Sequence, residues 1–300
     1  MQSQKIFEIV ILSGKGGTGK TSVAAALAVL AKEAAVVADC DVEASHMHLL
    51  LKPGCAQESD FYSGQYAEVD QSLCTLCRVC ETACRFNAIA IHNNVCIVNT
   101  LNCEGCGYCA HVCSAKAIQM KPANSGKVFI SKNRFQTPMV HATLNIGASN
   151  SGKLIARVKK EARTIAKKYK KPFIIIDGPP GIGCPVISSL SGANLVLLVA
   201  EPAAAGNHDL KRLVEVIKEF RIHMMCIVNK YDININKTEE LKSYLQQEAI
   251  PHLDDIPFDD TFTHAMIAGK TLTEMPSPVN DTINEAWTKI KTQCGDLMIR

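Results

Sequence analysis

The sequence predicts an α/β protein: a mostly parallel sheet flanked by helices, interrupted by a small α+β insert. Three observations lead there. A short apolar run, Lys5–Leu12, feeds a glycine-rich loop and then an Ala-rich helix, Ser22–Lys32, which is the strand–loop–helix opening of a parallel sheet. Strand-like and helix-like segments alternate from Ile6 to Leu51, stop, and resume near Leu154. The gap is rich in cysteine, with nine from Cys74 to Cys113, eight of them in two spaced runs. A chain of 300 residues has room for one large domain and a small insert, divided here as 1–60 and 122–300 around 61–121.

Composition narrows the class. The net charge of +3 is too mild to argue for a nucleic-acid partner. Apolar residues make up 47% and aromatics only 5%, which suits an Ala/Val/Ile-rich α/β core. No apolar run is long enough to span a bilayer; the longest, near Ala193–Ala205, is broken by Glu201 and Pro202. The N-terminus leads straight into strand and loop, without a secretory signal. Fourteen cysteines then imply a reducing, cytoplasmic setting with thiols used for metal.

The loop Gly14-Lys15-Gly16-Gly17-Thr18-Gly19-Lys20-Thr21 satisfies G-x4-G-K-[ST] between a strand and a helix, as in P-loop NTPases. Its glycines let backbone N–H groups wrap phosphates, and the helix N-terminus adds a positive field. Lys20 is expected to reach the β- and γ-phosphates, and the Thr21 hydroxyl to ligate Mg²⁺. Strand Pro172–Ile176 leads into Asp177-Gly178-Pro179-Pro180-Gly181. A carboxylate there sits where open α/β sheets bind ligands, so Asp177 is expected to support Mg²⁺.

The extra lysine, Lys15, makes this loop resemble the deviant Walker A loop of the MinD/ParA-type ATPases, which include the nitrogenase iron protein. That resemblance implies an ATPase, slow and stimulated by a partner or by dimerisation. It implies that Lys15 crosses the interface of an ATP-closed homodimer, in the manner of an arginine finger. After strand Ala34–Ala38, Asp39-Cys40-Asp41 resembles the first switch, giving Asp41 the attacking water and Asp39 the magnesium's waters. Asp177–Gly181 resembles Walker B and the second switch. Strand Met224–Val228 ends in Asn229-Lys230-Tyr231-Asp232, which reads as guanine recognition, whereas the resemblance assigns such an asparagine to adenine. ATP is favoured by the resemblance, with Asp232 keeping GTP open. Pro257–Asp260 is expected to form the second wall of the base pocket.

The cysteines fall as Cys74-x2-Cys77-x2-Cys80-x3-Cys84 and Cys103-x2-Cys106-x2-Cys109-x3-Cys113. A disulfide scaffold needs a secreted context, and zinc ribbons pair two C-x2-C units rather than three thiols with a fourth after x3. The spacing resembles the bacterial ferredoxin run written twice. That resemblance implies a ferredoxin-like domain with two [4Fe–4S] clusters, the fourth cysteine of each run serving the other cluster. The ligand sets would be Cys74, Cys77, Cys80 with Cys113, and Cys103, Cys106, Cys109 with Cys84. Arg85 and Ser114 stand where that run has proline, which alters a turn and not a ligand. Segments Ala67–Ile91 and Val95–Met120 repeat each other, each ending its run with an Ala-Ile pair. Gly54 and Gly64 are expected linkers, Gly126–Arg134 and Met139–Ile146 a hairpin returning to the main domain, and Ser151–Tyr169 a basic helix capped by Ser151.

Weaker signals are read blandly. Cys184 lies at the offset from Asp177 of a cluster-ligating cysteine in the nitrogenase iron protein, but is expected to be a small buried residue at a helix start. Cys40, Cys55, Cys96, Cys226 and Cys294 show no ligand spacing. The basic face of Arg157–Lys171 reads as solvated. His46 and His48 do not share a helix face and carry no metal expectation. The helix with Ile283, Ala286, Trp287 and Ile290 is expected to dock on the core. The whole chain thus resembles MinD-type ATPases with an inserted ferredoxin domain. The expected function is ATP-dependent electron transfer from the clusters to a redox or metalloprotein partner; the alternative is an ATP-dependent iron–sulfur or metallocentre assembly or insertion factor.

Overall fold

A computed structural model describes residues 5–54 and 57–299, so Cys55 lies outside the described residues. In chain order the elements are β1 (Phe7–Leu12), α1 (Lys20–Ala31), β2 (Ala35–Asp39), α2 (Met47–Leu51), β3 (Gln57–Val69), α3 (Val79–Ala83), β4 (Ile89–His92) and β5 (Val95–Val98). There follow α4 (Tyr108–Val112), β6 (Ile118–Lys132), β7 (Pro138–Leu144), α5 (Ser151–Lys168), β8 (Phe173–Asp177), α6 (Cys184–Leu190) and β9 (Leu195–Ala200). The chain ends with α7 (Ala204–Glu219), β10 (His223–Asn229), α8 (Ile235–Gln247), β11 (His252–Ile256), α9 (Thr261–Ala268) and α10 (Val279–Ile299). It divides into two compact units, Met1–Glu58 with Val128–Thr143 and Ser151–Arg300, and Ser59–Lys127 with Leu144–Asn150.

In the first unit the sheet runs β11-β10-β9-β1-β8-β2-β7-β6, and each pairing from β11 to β7 is parallel. Strands β1 and β9 are buried at every residue, as parallel strands covered on both faces must be. The Ala-rich α1 packs closely on this sheet because small side chains let its backbone approach; Val23 through Ala28 are all buried. Helix α10 completes the layer with Ile283, Ala286, Trp287 and Ile290, and the Trp287 ring meets Phe173 edge-on at 5.6 Å. Strands β2 and β8 each run one residue past their expected ends. Asp39 and Asp177 therefore close the two strands as direct Cα partners.

Three expectations are corrected here. Ser151 is the first residue of α5 rather than its cap. Gly64 is no linker: it lies inside β3 with φ +79°. The basic face of α5 is not fully solvated, because Lys159 is buried and lies 3.3 Å from Glu8, and Arg163 donates to the same carboxylate at 2.9 Å. A charge buried on β1 needs such partners. Strands β6 and β7 are neighbours joined by a short turn, as expected. Its geometry is held by the buried Asn133, whose Oδ1 accepts from Phe135 and Thr137 N–H at 3.0 Å each.

The second unit carries the sequence repeat into the backbone at an offset of 29 residues, Cys74 to Cys103. Asp70 N–H donates to Ala117 C=O at 2.7 Å, and its counterpart Asn99 N–H to Ala88 C=O at 2.7 Å. Helices α3 and α4 are equivalent, entered through left-handed Arg78 (φ 64°) and Gly107 (φ 74°). The segment 144–150, expected in the main domain, groups with this unit.

The central strands set the stability of the first unit. Ile175, fully buried between Ile9 and Val37, should cost about 2–5 kcal/mol when cut to alanine. Urea unfolding of the metal-free chain checks this; a loss below 1 kcal/mol would place the core elsewhere.

Candidate functional site

The loop after β1 and the first turn of α1 form one wall of a cavity of about 620 Å³, inside the usual range for ligand pockets. Gly16, Gly17, Gly19, Lys20 and Thr21 line it. Gly17 and Gly19 sit at φ +81° and +90°, and a Cβ on Gly19 would come within 2.5 Å of Asn229 Nδ2. Here glycine is required by both backbone and neighbour.

Beneath the loop, Lys20 is almost wholly buried and lies 2.7 Å from Asp177 and 3.6 Å from Asp41. Asp39 stands beside Asp177 in register. Burial works against the Lys20 ammonium, but the three carboxylates outweigh it and raise its pKa. Burial, then the neighbouring Asp177, pushes Asp39 up to about 7, against the opposing hydrogen bond from Ser45 at 2.6 Å. Burial also raises Asp41, against the pull of Lys20. Three carboxylates thus face a single cation, and Asp177 Oδ2 is buried with no hydrogen-bond partner. An all-oxygen set with an unspent buried oxygen suits a hard dication and its waters. Asp39 and Asp177 would hold that shell, and Thr21 lines the same cavity.

The expected nucleotide residues separate into two groups. Asn229 is buried and donates to Thr18 C=O at 2.8 Å, so it braces the phosphate loop. Lys230 donates to Gly17 C=O at 2.9 Å and lines the cavity beside Asn229. Asp232 does not line it: its carboxylate accepts from Phe258 N–H at 2.6 Å. Pro257, Phe258 and Asp259 do form a wall, joined by Phe262 and Met266 from α9. Lys15 also points elsewhere, pairing with Glu201 at 2.5 Å, and Glu201 holds Lys230 at 3.0 Å. Although partial burial opposes ionisation of Glu201, the two lysines keep its pKa low. The sequence reading missed Glu201, whose only signal was a charge directly after the apolar run of β9.

In the second unit the cysteines line two cavities. One, of about 340 Å³, is walled by Cys103, Cys106, Cys109 and Cys84. The other, about 20 Å³, is walled by Cys74, Cys77, Cys80 and Cys113. Each joins three thiols of one run to the fourth of the other. Matched backbone donors point at both fourth cysteines, Ala88 N–H to Cys84 Sγ at 3.4 Å and Ala117 N–H to Cys113 Sγ at 3.3 Å. Among the described residues no group of three or more His, Cys, Asp or Glu side chains is placed to hold a metal ion. A single ion needs its ligands about one point, whereas a four-iron cube needs one thiolate per iron, spread around a hollow.

One sequence reading changes, and another gains a neighbour. Cys184 opens α6 as expected but is exposed, not buried. Cys96 is buried, yet it faces the smaller cavity, 3.9 Å from Cys80. His48 ties into the segment after β2: Ser45 Oγ lies 3.5 Å from its Nδ1, and its ring stacks on His141, which stacks on Phe129 of β6.

The family described as the CobQ/CobB/MinD/ParA nucleotide binding domain matches residues 9–272. The chain belongs to this family. An uncharacterised protein of Methanocaldococcus jannaschii is 34% identical over 289 residues, covering 95% of this chain and 97% of its own. A second uncharacterised protein of that organism is 27% identical over 231 residues, covering 75% and 81%. The fold is that of the septum site-determining protein MinD from Pyrococcus horikoshii, solved with Mg-ADP (TM-score 0.60, 18% identity, covering 98% of this chain and 99% of that one). No helix among the described residues is long and apolar enough to cross a membrane.

The carboxylate cluster makes a pH prediction for the metal-free, nucleotide-free chain. With Asp39 raised from 3.8 to about 7, the native state binds the extra proton between those pH values, so stability falls as pH rises through that window. One such proton is worth at most about 1.4 kcal/mol per pH unit. Denaturation midpoints from pH 4 to 7 should decline more steeply for wild type than for Asp39→Asn; parallel curves would show that Asp39 ionises normally.

Proposed function

We propose that this member of the MinD/ParA-type family is a magnesium-dependent ATPase. It closes into a homodimer on ATP and couples that state to electron transfer from two [4Fe–4S] clusters to a partner metalloprotein. The observation that carries the proposal is the interleaving of the thiols: each cavity collects three cysteines of one run and the fourth of the other, in the same chain as the phosphate loop. Bound clusters would supply one-electron transfer.

The residues divide the work. Lys20 exchanges Asp177 for the phosphates, and Asp39 and Asp177 are left to hold the metal's waters. Asp41, at the cavity wall, orients the attacking water. Lys15 reaches a partner's nucleotide only after leaving Glu201, so the resting chain keeps its transition-state charge in store. ATP is favoured over GTP because Asp232 does not line the cavity, its carboxylate being turned to Phe258 N–H.

Coupling is supported by what flanks the insertion within the first unit. Asp39 is linked through Ser45 and His48 to His141 and Phe129, on the strands by which the chain returns. Arg134, at the end of that return, donates to Leu50 C=O of α2, by which the chain leaves, at 3.1 and 3.0 Å. Movement of the first switch is thereby passed to both connections. The cytoplasm suits a chain that needs this many free thiols. The assembly-factor reading rests on exposed Cys184 at the start of α6, next to the second switch. Eight-thiolate ligation leaves no open position for cargo release.

The test is anaerobic reconstitution with iron and sulfide, followed by iron analysis, EPR and ATPase assay. Wild type should bind about eight irons per chain, as two four-iron cubes require. Cys113→Ser should perturb the EPR signal of the same cluster as Cys77→Ser, and Cys84→Ser that of Cys106→Ser. Lys20→Ala should lose ATP hydrolysis with iron unchanged. Zinc instead of iron would overturn the proposal, and extra labile metal lost in Cys184→Ser would move the assembly reading ahead.

A further inference from the structure

The cavity that collects Cys74, Cys77, Cys80 and Cys113 has a fifth sulfur in its wall. Cys96 is the one fully buried residue of β5, 2% exposed, and its Sγ lies 3.9 Å from Cys80 Sγ. Its backbone N–H and C=O are both held by one side chain: Gln71 Nε2 donates to Cys96 C=O at 2.8 Å, and Cys96 N–H donates to Gln71 Oε1 at 3.2 Å. Pairing with Ile91 across the β4–β5 ladder fixes the same residue from its other edge. The thiol is therefore held in place.

The repeat supplies an internal control. Every ligand cysteine of the first run has a counterpart 29 positions on, from Cys74 and Cys103 to Cys84 and Cys113. By that offset Cys96 corresponds to Ala67, a methyl. The other cavity, walled by Cys84, Cys103, Cys106 and Cys109, has no fifth thiol in its lining. The two halves match in backbone and in ligands, and differ at this position by one S–H donor.

Resting on the cluster reading above, we infer that Cys96 is a tuning residue for one cluster and not a ligand. Its S–H donates toward Cys80 and makes the potential of the cluster at Cys74, Cys77, Cys80 and Cys113 higher than that of its twin. A thiol buried in apolar surroundings keeps its proton and so remains a donor. Hydrogen bonds to cluster sulfurs favour the reduced state, because the added electron places more negative charge on them. An electron entering the domain then settles at the Cys96 side, which gives a symmetric pair of sites a direction.

The test is a potentiometric EPR titration of the full reconstituted chain, wild type against Cys96→Ala and Cys96→Ser, with iron counted in each. Cys96→Ala should keep the wild-type iron content, lower one midpoint potential and leave the other where it was. Cys96→Ser, which keeps a donor, should restore that midpoint toward the wild-type value. Full iron with both potentials unmoved overturns the inference and leaves the cluster reading standing. Loss of one cluster's iron in both variants overturns it by making Cys96 a ligand. A wild-type chain that takes up no iron overturns the cluster reading and the inference together.

Discussion

One buried ammonium surrounded by three carboxylates governs the first unit. Lys20 contacts Asp177 and Asp41, and Asp39 adjoins Asp177 across the β2–β8 ladder, all under the phosphate loop. Burying like charges this closely is costly unless something balances them. Within the chain the balance is incomplete: Asp39 is driven toward its neutral form and one oxygen of Asp177 has no partner. A metal–phosphate complex removes both deficits at once, since the dication suits the carboxylates and the phosphates suit Lys20. The site is thus poised to change its internal pairing on binding, and the segment from Asp39 to Ser45 is attached to it.

The rest of the loop obeys the same logic. Asn229 and Lys230 brace Thr18 and Gly17 by their carbonyls, and Glu201 holds Lys230 and Lys15 together. One carboxylate thereby holds two lysines of the site within the chain. Asp232 reinforces the cavity wall at Pro257–Asp259 by accepting from Phe258 N–H rather than by facing the cavity.

Much of this was legible in the sequence, because its signals are local. A phosphate loop is a contiguous pattern, and the run of β-rich apolar residues before it has one natural partner in a parallel sheet. Asp39 and Asp177 could be read as strand-end acids, but not as register partners: that depends on both strands extending one residue further. Glu201 and His141 carry no motif and acquire roles only through packing. Lys159 and Arg163 read as a solvated basic stripe, since the buried acid that claims them, Glu8, is some 150 residues away in sequence. Cys96 stood outside any ligand spacing, and only the fold of β5 turns it toward Cys80. The thiol interleaving followed from spacing and resemblance, whereas the unequal surroundings of the two cavities did not.

The central claim is that nucleotide state reaches the clusters, through Asp39, Ser45, His48 and the strands around the insertion. The direct measurement is the pair of cluster midpoint potentials in the full reconstituted chain, taken without nucleotide, with MgADP and with MgATP. A shift with MgATP that is absent with MgADP, and absent in Ser45→Ala even where ATP still binds, is the predicted result. Potentials that stay fixed across all three states, while ATP is demonstrably bound, would contradict coupling and leave two independent modules in one chain.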